Sequence, residues 1–244
     1  MSSERQRPSA DSGWVRVLLF LLSVIAGTTD MIGFLGLNGL FTAHITGNLV
    51  LLCAHLAGSG DMRVSSLISI PVFAVVVCLT RILAGRLMLN HSVTLSLLLF
   101  LQLVCLAGFL LVCMSTGNHP NPDSTITIVA GMLGVSAMAV QNALAQTTIE
   151  NAPSTAIMTT NVTRFSVDVG TILLGAEKEH VDHARSRSAR TLPVILGFAG
   201  GCIVGALCEQ NFGLMALALP TGLAVIALIL GVFIERQQKF SVSE

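Results

Sequence analysis

Apolar residues fill this chain in long runs, and each run is cut by a short polar stretch. A membrane-crossing helix needs about 20 apolar residues at a rise of about 1.5 Å each. Segments near that length fall at 14–36, 41–57, 64–85, 93–114, 125–146, 155–176, 190–208 and 213–234. The pattern predicts an all-α, polytopic transmembrane bundle of about eight helices, six to eight of them full spans. Segments two and six carry the most polar residues, so each is a candidate re-entrant element that lines protein instead of crossing. Polar tails at 1–13 and 235–244 and a linker at 115–124 separate two blocks, 14–114 and 125–234.

Those blocks share a pattern. AHITGNLVLL from Ala43 aligns without gaps to AIMTTNVTRF from Ala156, matching Ala43 with Ala156, Thr46 with Thr159 and Asn48 with Asn161. PVFAVVVC from Pro71 resembles PVILGFAGGC from Pro193. Two pseudo-symmetric four-helix repeats are the expectation. An even number of spans in each would relate them by an axis along the membrane normal.

Composition changes the picture only by excluding alternatives. Of 244 residues, 53% are hydrophobic and 11% charged, with a mean hydropathy of +0.80, more apolar than a soluble core requires. Net charge is formally zero and Lys and Arg lie mainly between apolar runs, which argues against a nucleic-acid surface. Expected partners are membrane lipid and a small solute, self-association into a homo-oligomer is compatible with both, and no cofactor or metal is called for. Cys53, Cys78, Cys105, Cys113, Cys202 and Cys208 lie in or at the ends of apolar segments without CxxC or Cys/His ligand spacing, so they read as unpaired small hydrophobes. The apolar run after MSSERQRPSADSG is longer than a signal-peptide core of about 7–15 residues and reads as an uncleaved first span.

The positive-inside rule orients eight spans with both termini in the cytoplasm, the expected location being a bacterial inner membrane. Arg5, Arg7, Arg16, Arg63, Lys178, Arg185, Arg187, Arg190, Arg236 and Lys239 then fall inside, with Arg86 outside and Arg81 and Arg164 within spans. Glu177 to Arg190 becomes the largest cytoplasmic loop. Arg81 fits worst, and the sequence names no partner for it.

Polar groups inside the apolar runs carry the candidate chemistry. Asp30 lies about 9 Å below the end of the first helix and Thr46 to Asn48 about 7–11 Å into the second, so they can meet across the hairpin. Gln141 and Asn142 face the depth of Thr159 to Asn161. His44, Asn48 and His55 share one helical face, as do Asn161, Arg164 and Asp168. An ionisable group near the bilayer centre costs about 2.5 kcal/mol or more and takes a partner. For Arg164 the candidates are Asp168 on its own helix and Asp30 across the repeat interface. These residues would form a central polar cavity for a small solute or a proton, or else an interhelical network that fixes packing. Gly197, Gly201 and Gly205 form a small-residue line for close helix contact. His180 and His183 have an HxxH spacing but read as part of a solvated loop, and Trp14 reads as an interfacial anchor.

Asp30, Gly33, Phe34, Phe41, His44, Thr46, Gly47 and Asn48 match the first-half motif of the YoaK-like bacterial membrane family, which the chain resembles over nearly its whole length after the tail. In the second half Gln141, Asn142, Thr159 and Arg164 are in register with the family pattern, while Ala156, Thr160 and Asn161 stand where it has Thr, Gly and Thr. The resemblance implies the same fold and site residues, without supplying a substrate. The reading is a transporter or permease for a small solute, using a polar cavity between the halves. Its alternative is a non-transporting protein that organises other membrane proteins or lipids. No HExxH or GxSxG motif supports an enzyme.

Overall fold

The computed structural model describes residues 8–58, 64–89, 94–116, 121, 124–175 and 177–241. Its elements are α1 (Gly13–Gly36), α2 (Ile45–Leu56), α3 (Val64–Leu89), α4 (Thr94–Thr116), α5 (Thr125–Thr148), α6 (Met158–Leu173), α7 (Lys178–Phe212), a short 3-10 turn (Gly213–Leu217) and α8 (Ala218–Ser241). Five helical stretches are long and apolar enough to cross a bilayer: Gly13–Gly36, Val64–Leu87, Thr94–Ser115, Thr125–Thr148 and Lys178–Gln238. The last folds back at Gly213, whose φ of 56° suits glycine, and so contributes two arms. Leu79, Leu111, Leu196 and Ile229 stand exposed on the outer faces of these helices, which only lipid contact makes favourable. The chain is an integral, multi-pass membrane protein.

Close contacts fix the direction of each helix. Gly197 lies against Phe20 and Ser23, Gly201 against Val24 and Thr28, and Gly205 against Thr28 and Met31, so α7 runs beside α1 in the same direction. The small-residue line does what its spacing suggests: it lets two backbones touch. Opposite in direction is α5, for Gly131 meets Leu37 and Leu40 near the end of α1, Gln141 Nε2 donates to the Leu22 carbonyl, and the Ala10 N–H donates to the Glu150 carbonyl. Antiparallel to α5 is α4, which places Phe109 on Gly134 and Gln102 on Gln141. Against α8 it is antiparallel too, with Leu99 on Gly231 and Glu235 accepting from the Leu95 N–H and the Ser96 hydroxyl. The end of α3 at Leu89 lies five residues before α4 begins, so α3 descends where α4 ascends.

The two remaining helices are short. With 12 and 16 residues, α2 and α6 are about 18 and 24 Å long. The first begins beside Asp30, partway down α1, and leads to the start of α3 on the side where α1 ended. The second begins beside Gln141 and Asn142 and exits next to the start of α7. Each leaves by the side it entered.

This path corrects several expectations. Of the two courses left open for segments two and six, the re-entrant one holds, because the polar residues at their starts bind neighbouring chain partway through the bundle; the count of eight crossings does not. The first helices of the two blocks are antiparallel, so an axis along the normal does not hold; that expectation depended on counting both short helices as crossings. Glu177 to Arg190 is not a loop but the start of α7, having neither Gly nor Pro to stop a helix. The tail expected at 235–244 is helical to Ser241. Most of the 115–124 linker, and Arg5, Arg7 and Arg63, lie outside the described residues.

Candidate functional site

After α1 the chain turns through Asn38 (φ 60°) and Gly39 (φ 93°), two left-handed positions that reverse it and lay residues 40–44 back along the helix. There it meets Asp30, which is 4% exposed. Asp30 Oδ1 accepts from the Ala43 N–H at 2.7 Å, the Thr42 hydroxyl at 3.3 Å and the His44 N–H at 3.4 Å. Oδ2 lies 2.6 Å from His44 Nδ1. His44 is the cap residue of α2 yet gives its helix no side-chain cap. The carboxylate of α1 instead holds the turn that leads into α2, satisfying the two amides just before the helix, which would be costly to leave bare inside a membrane.

Beside this pair is a cavity of about 380 Å³ whose walls include Asp30, Phe34, Phe41, His44, Phe198 and Cys202. Phe34 and Phe41 stack with centroids 4.5 Å apart, while His44 meets Phe41 and Phe198 edge-on at 5.9 and 5.4 Å. Gly47 is required beneath Phe41: a Cβ there would lie 2.9 Å from the ring. The lining is mostly apolar, with the acid and the imidazole at one place in it, the usual composition of a small-molecule site.

Asn48 holds the junction. It is fully buried; its Oδ1 accepts from the Phe41 N–H, and its Nδ2 donates to the Phe41 carbonyl and to Ser69 on α3. Asn161 makes the corresponding bond in α6, from Nδ2 to the Ser154 carbonyl, again seven residues back. Its Oδ1 is buried without a partner among the described residues. Gln141 ties four parts of the chain together, accepting from Gln102 and donating to Leu22 and Thr155. Asn142 accepts from Ser154 and donates to Met138.

The expected single constellation is therefore two clusters. Asp30, His44, Thr46 and Asn48 gather at the start of α2, with Thr46 on the cavity wall; Gln141, Asn142 and Asn161 gather at the start of α6. Because α1 and α5 are antiparallel and Gln141 sits at the level of Leu22, the clusters are about 12 Å apart in depth, eight residues along α1. Thr159 and Arg164 are exposed. Arg164 pairs with neither Asp168 nor Asp30: buried Asp168 is held by both Nε and Nη2 of Arg187 from the polar start of α7. Having taken that stretch for a loop, the sequence reading could not offer Arg187. It also missed Phe198 and Cys202, although an aromatic set among Gly197, Gly200 and Gly201 was a visible signal. His180 and His183 lie near Glu177 and Glu179 on the exposed start of α7, and the described residues contain no cluster able to hold a metal.

The model for the family described as "Protein of unknown function (DUF1275)" matches residues 18–230. The chain belongs to that family. A relative, the UPF0700 transmembrane protein YoaK of Bacillus subtilis (strain 168), is 27% identical over 225 residues, covering 92% of this chain and 95% of its own. No solved structure matches significantly. Membership fits the residues already placed, since Asp30, Phe41, His44 and Asn48, which carried the resemblance, meet around one junction.

Proposed function

We propose that this protein is a membrane transporter for a small solute, and that the cavity bounded by Asp30, His44 and Phe198 is its binding site. The observation that supports this best is the placement of a buried acid–imidazole pair at the start of a helix that begins partway through the bundle, open to a cavity. Broken or half-length helices at repeat interfaces are where transporters bind their cargo. A scaffold has no need of such a cavity.

We read the two blocks as inverted repeats, with α1 to α4 related to α5 to α8 by an axis in the membrane plane. The pairings agree: α1 packs on α7 as α5 packs on α3, α2 on α3 as α6 on α7, and α4 on α5 as α8 on α1. The end where α1 begins gathers Arg16, Arg86, Arg185, Arg187, Arg190 and Arg236, so it is the cytoplasmic end under the positive-inside rule. Both termini are then inside, in a bacterial cytoplasmic membrane. Arg81, misplaced by a count of eight spans, falls in the inner third of α3. The cavity faces the outer side. On the inner side the Pro8–Asp11 segment is pinned to Glu150 and, through Asp11, to Arg190; inward opening has to release these contacts.

Cys202 on the cavity wall supplies the test. In a chain whose other five cysteines are replaced, a membrane-impermeant maleimide is applied to right-side-out and inside-out vesicles. Transport predicts labelling from the outer face, and from the inner face once Asp11→Ala loosens the inner strap. Labelling from a single face in both forms would overturn the reading.

A further inference from the structure

We propose that the cavity between α1, α2 and α7 takes a small monovalent organic cation with an apolar body, in exchange for a proton on His44. This rests on the transport reading of the same cavity and adds the class of its cargo.

An anion is the first ligand to consider, because a helix start inside a membrane presents bare amides to one. Here the anion is already built in. Asp30 accepts from the amides of Ala43 and His44 and from the Thr42 hydroxyl in the turn that leads into α2, so a second anion at this junction would lie against a carboxylate. Among the described residues no Lys or Arg lines the cavity to compensate.

The walls favour the opposite charge. Phe34, Phe41 and Phe198 border the space, with Phe34 and Phe41 stacked on each other and Phe198 edge-on to His44, and a cation that reaches the face of such a ring is attracted most strongly where water is scarce. Apolar lining around them suits alkyl or aryl groups on that cation. About 380 Å³ accommodates an amine of modest size together with some water.

The proton enters through the acid–imidazole pair. His44 Nδ1 lies 2.6 Å from a carboxylate oxygen that can only accept, so Nδ1 carries a hydrogen and the exchangeable proton belongs to Nε2. No described residue bonds Nε2. With Nε2 protonated the pair is neutral; without that proton the pair carries one negative charge. A cation binds the second state better, and binding expels the proton to solvent. The other titratable groups facing His44 are few: Asp30 from α1 and Cys202 from α7 line the cavity, α3 presents Ser69 at this junction, and His55 of α2 lies eleven residues further on.

The test uses the full-length chain in detergent with three isosteres read by titration calorimetry: choline, its neutral analogue with carbon in place of nitrogen, and pivalate. Choline should bind at least about tenfold more tightly than the neutral analogue, and pivalate should not bind. Because a proton on Nε2 competes with the cation, choline affinity should fall as the pH is lowered from about 8 to about 5.5. In His44→Gln that pH dependence should vanish, whatever affinity for choline remains. Phe34→Leu and Phe198→Leu, each checked for folding by thermal melting, should weaken choline more than its neutral analogue. Equal binding of the two, binding of pivalate, no binding of choline to the folded chain, or an unchanged pH profile in His44→Gln would each overturn the proposal. One-sided labelling of Cys202 with choline still bound would instead sink transport and leave a cation receptor site.

Discussion

Replacing Gly201 with alanine places a Cβ 2.5 Å from the Val24 carbonyl oxygen and 3.1 Å from the Thr28 nitrogen. That is about 1 Å inside the separation at which non-bonded heavy atoms sit best, and both neighbours are backbone, so no side chain can swing aside. Helices α1 and α7 must part or tilt. Overpacking of this kind costs about 1–3 kcal/mol. The bond from Thr28 Oγ1 to the Gly201 carbonyl, already 3.2 Å long, is lost for a further ~0.6 kcal/mol, although Thr28 keeps its bond to Val24. Alanine returns up to about 1 kcal/mol through its better helix propensity, leaving a net loss of about 1–3 kcal/mol. Gly200, the preceding residue, is the control, because a Cβ there meets nothing within 4 Å. Gly200→Ala should be neutral or stabilising by up to about 1 kcal/mol. Unfolding midpoints of the two variants in one detergent measure the difference, about 1–4 kcal/mol between adjacent positions. Equal midpoints would refute the α1–α7 contact. Parting these helices also moves Phe198 and Cys202, so the maleimide reactivity of Cys202 should change in Gly201→Ala alone.

Two other predictions separate neighbouring roles. Asp30→Asn keeps the shape but removes charge from four hydrogen bonds, so a loss of about 2–4 kcal/mol is expected, against about 1 kcal/mol for Asn142→Ala with its two weaker bonds; thermal melting in the reverse order would refute the hold of Asp30 on the turn before α2. Arg187→Gln leaves Asp168 buried without its guanidinium and should cost about 1–3 kcal/mol, reduced because Arg187 is half exposed, whereas exposed Arg164→Gln should change stability by less than about 0.5 kcal/mol. Equal losses in the melting midpoint would restore Arg164 as a structural partner.

The helical class and the polar junction were legible because they follow from short-range rules. Apolar length marks a helix that can cross, and Asp30 with His44 stands out where every unpaired polar group is costly. The gapless match of residues 43–52 to 156–165 was equally visible, but such a match is the same for parallel and inverted copies. What decides the sense is whether α2 crosses, and that depends on Asp30 drawing Ala43 and His44 partway down α1, a contact between residues 13 and 14 apart. Arg187 was hidden for a related reason. Its stretch is rich in charge and reads as solvated chain until the exposed start of α7 is seen to pass the end of α6, where Asp168 awaits a guanidinium.

The two junctions differ where their chemistry would matter. Asp30 and Asn142 each lie six residues before the end of their helix, and the residue beginning the short helix is His44 in one half and Ile157 in the other. The hydrogen-bonded frame is shared, since Asn48 and Asn161 each clasp the carbonyl seven residues back. Only the junction at the start of α2 carries an acid and an imidazole. Two equally charged junctions at different depths would offer a cation and a proton separate places and leave them uncoupled. Under the proposed exchange, one charged junction would make both use the same group, which is the condition for exchanging one against the other.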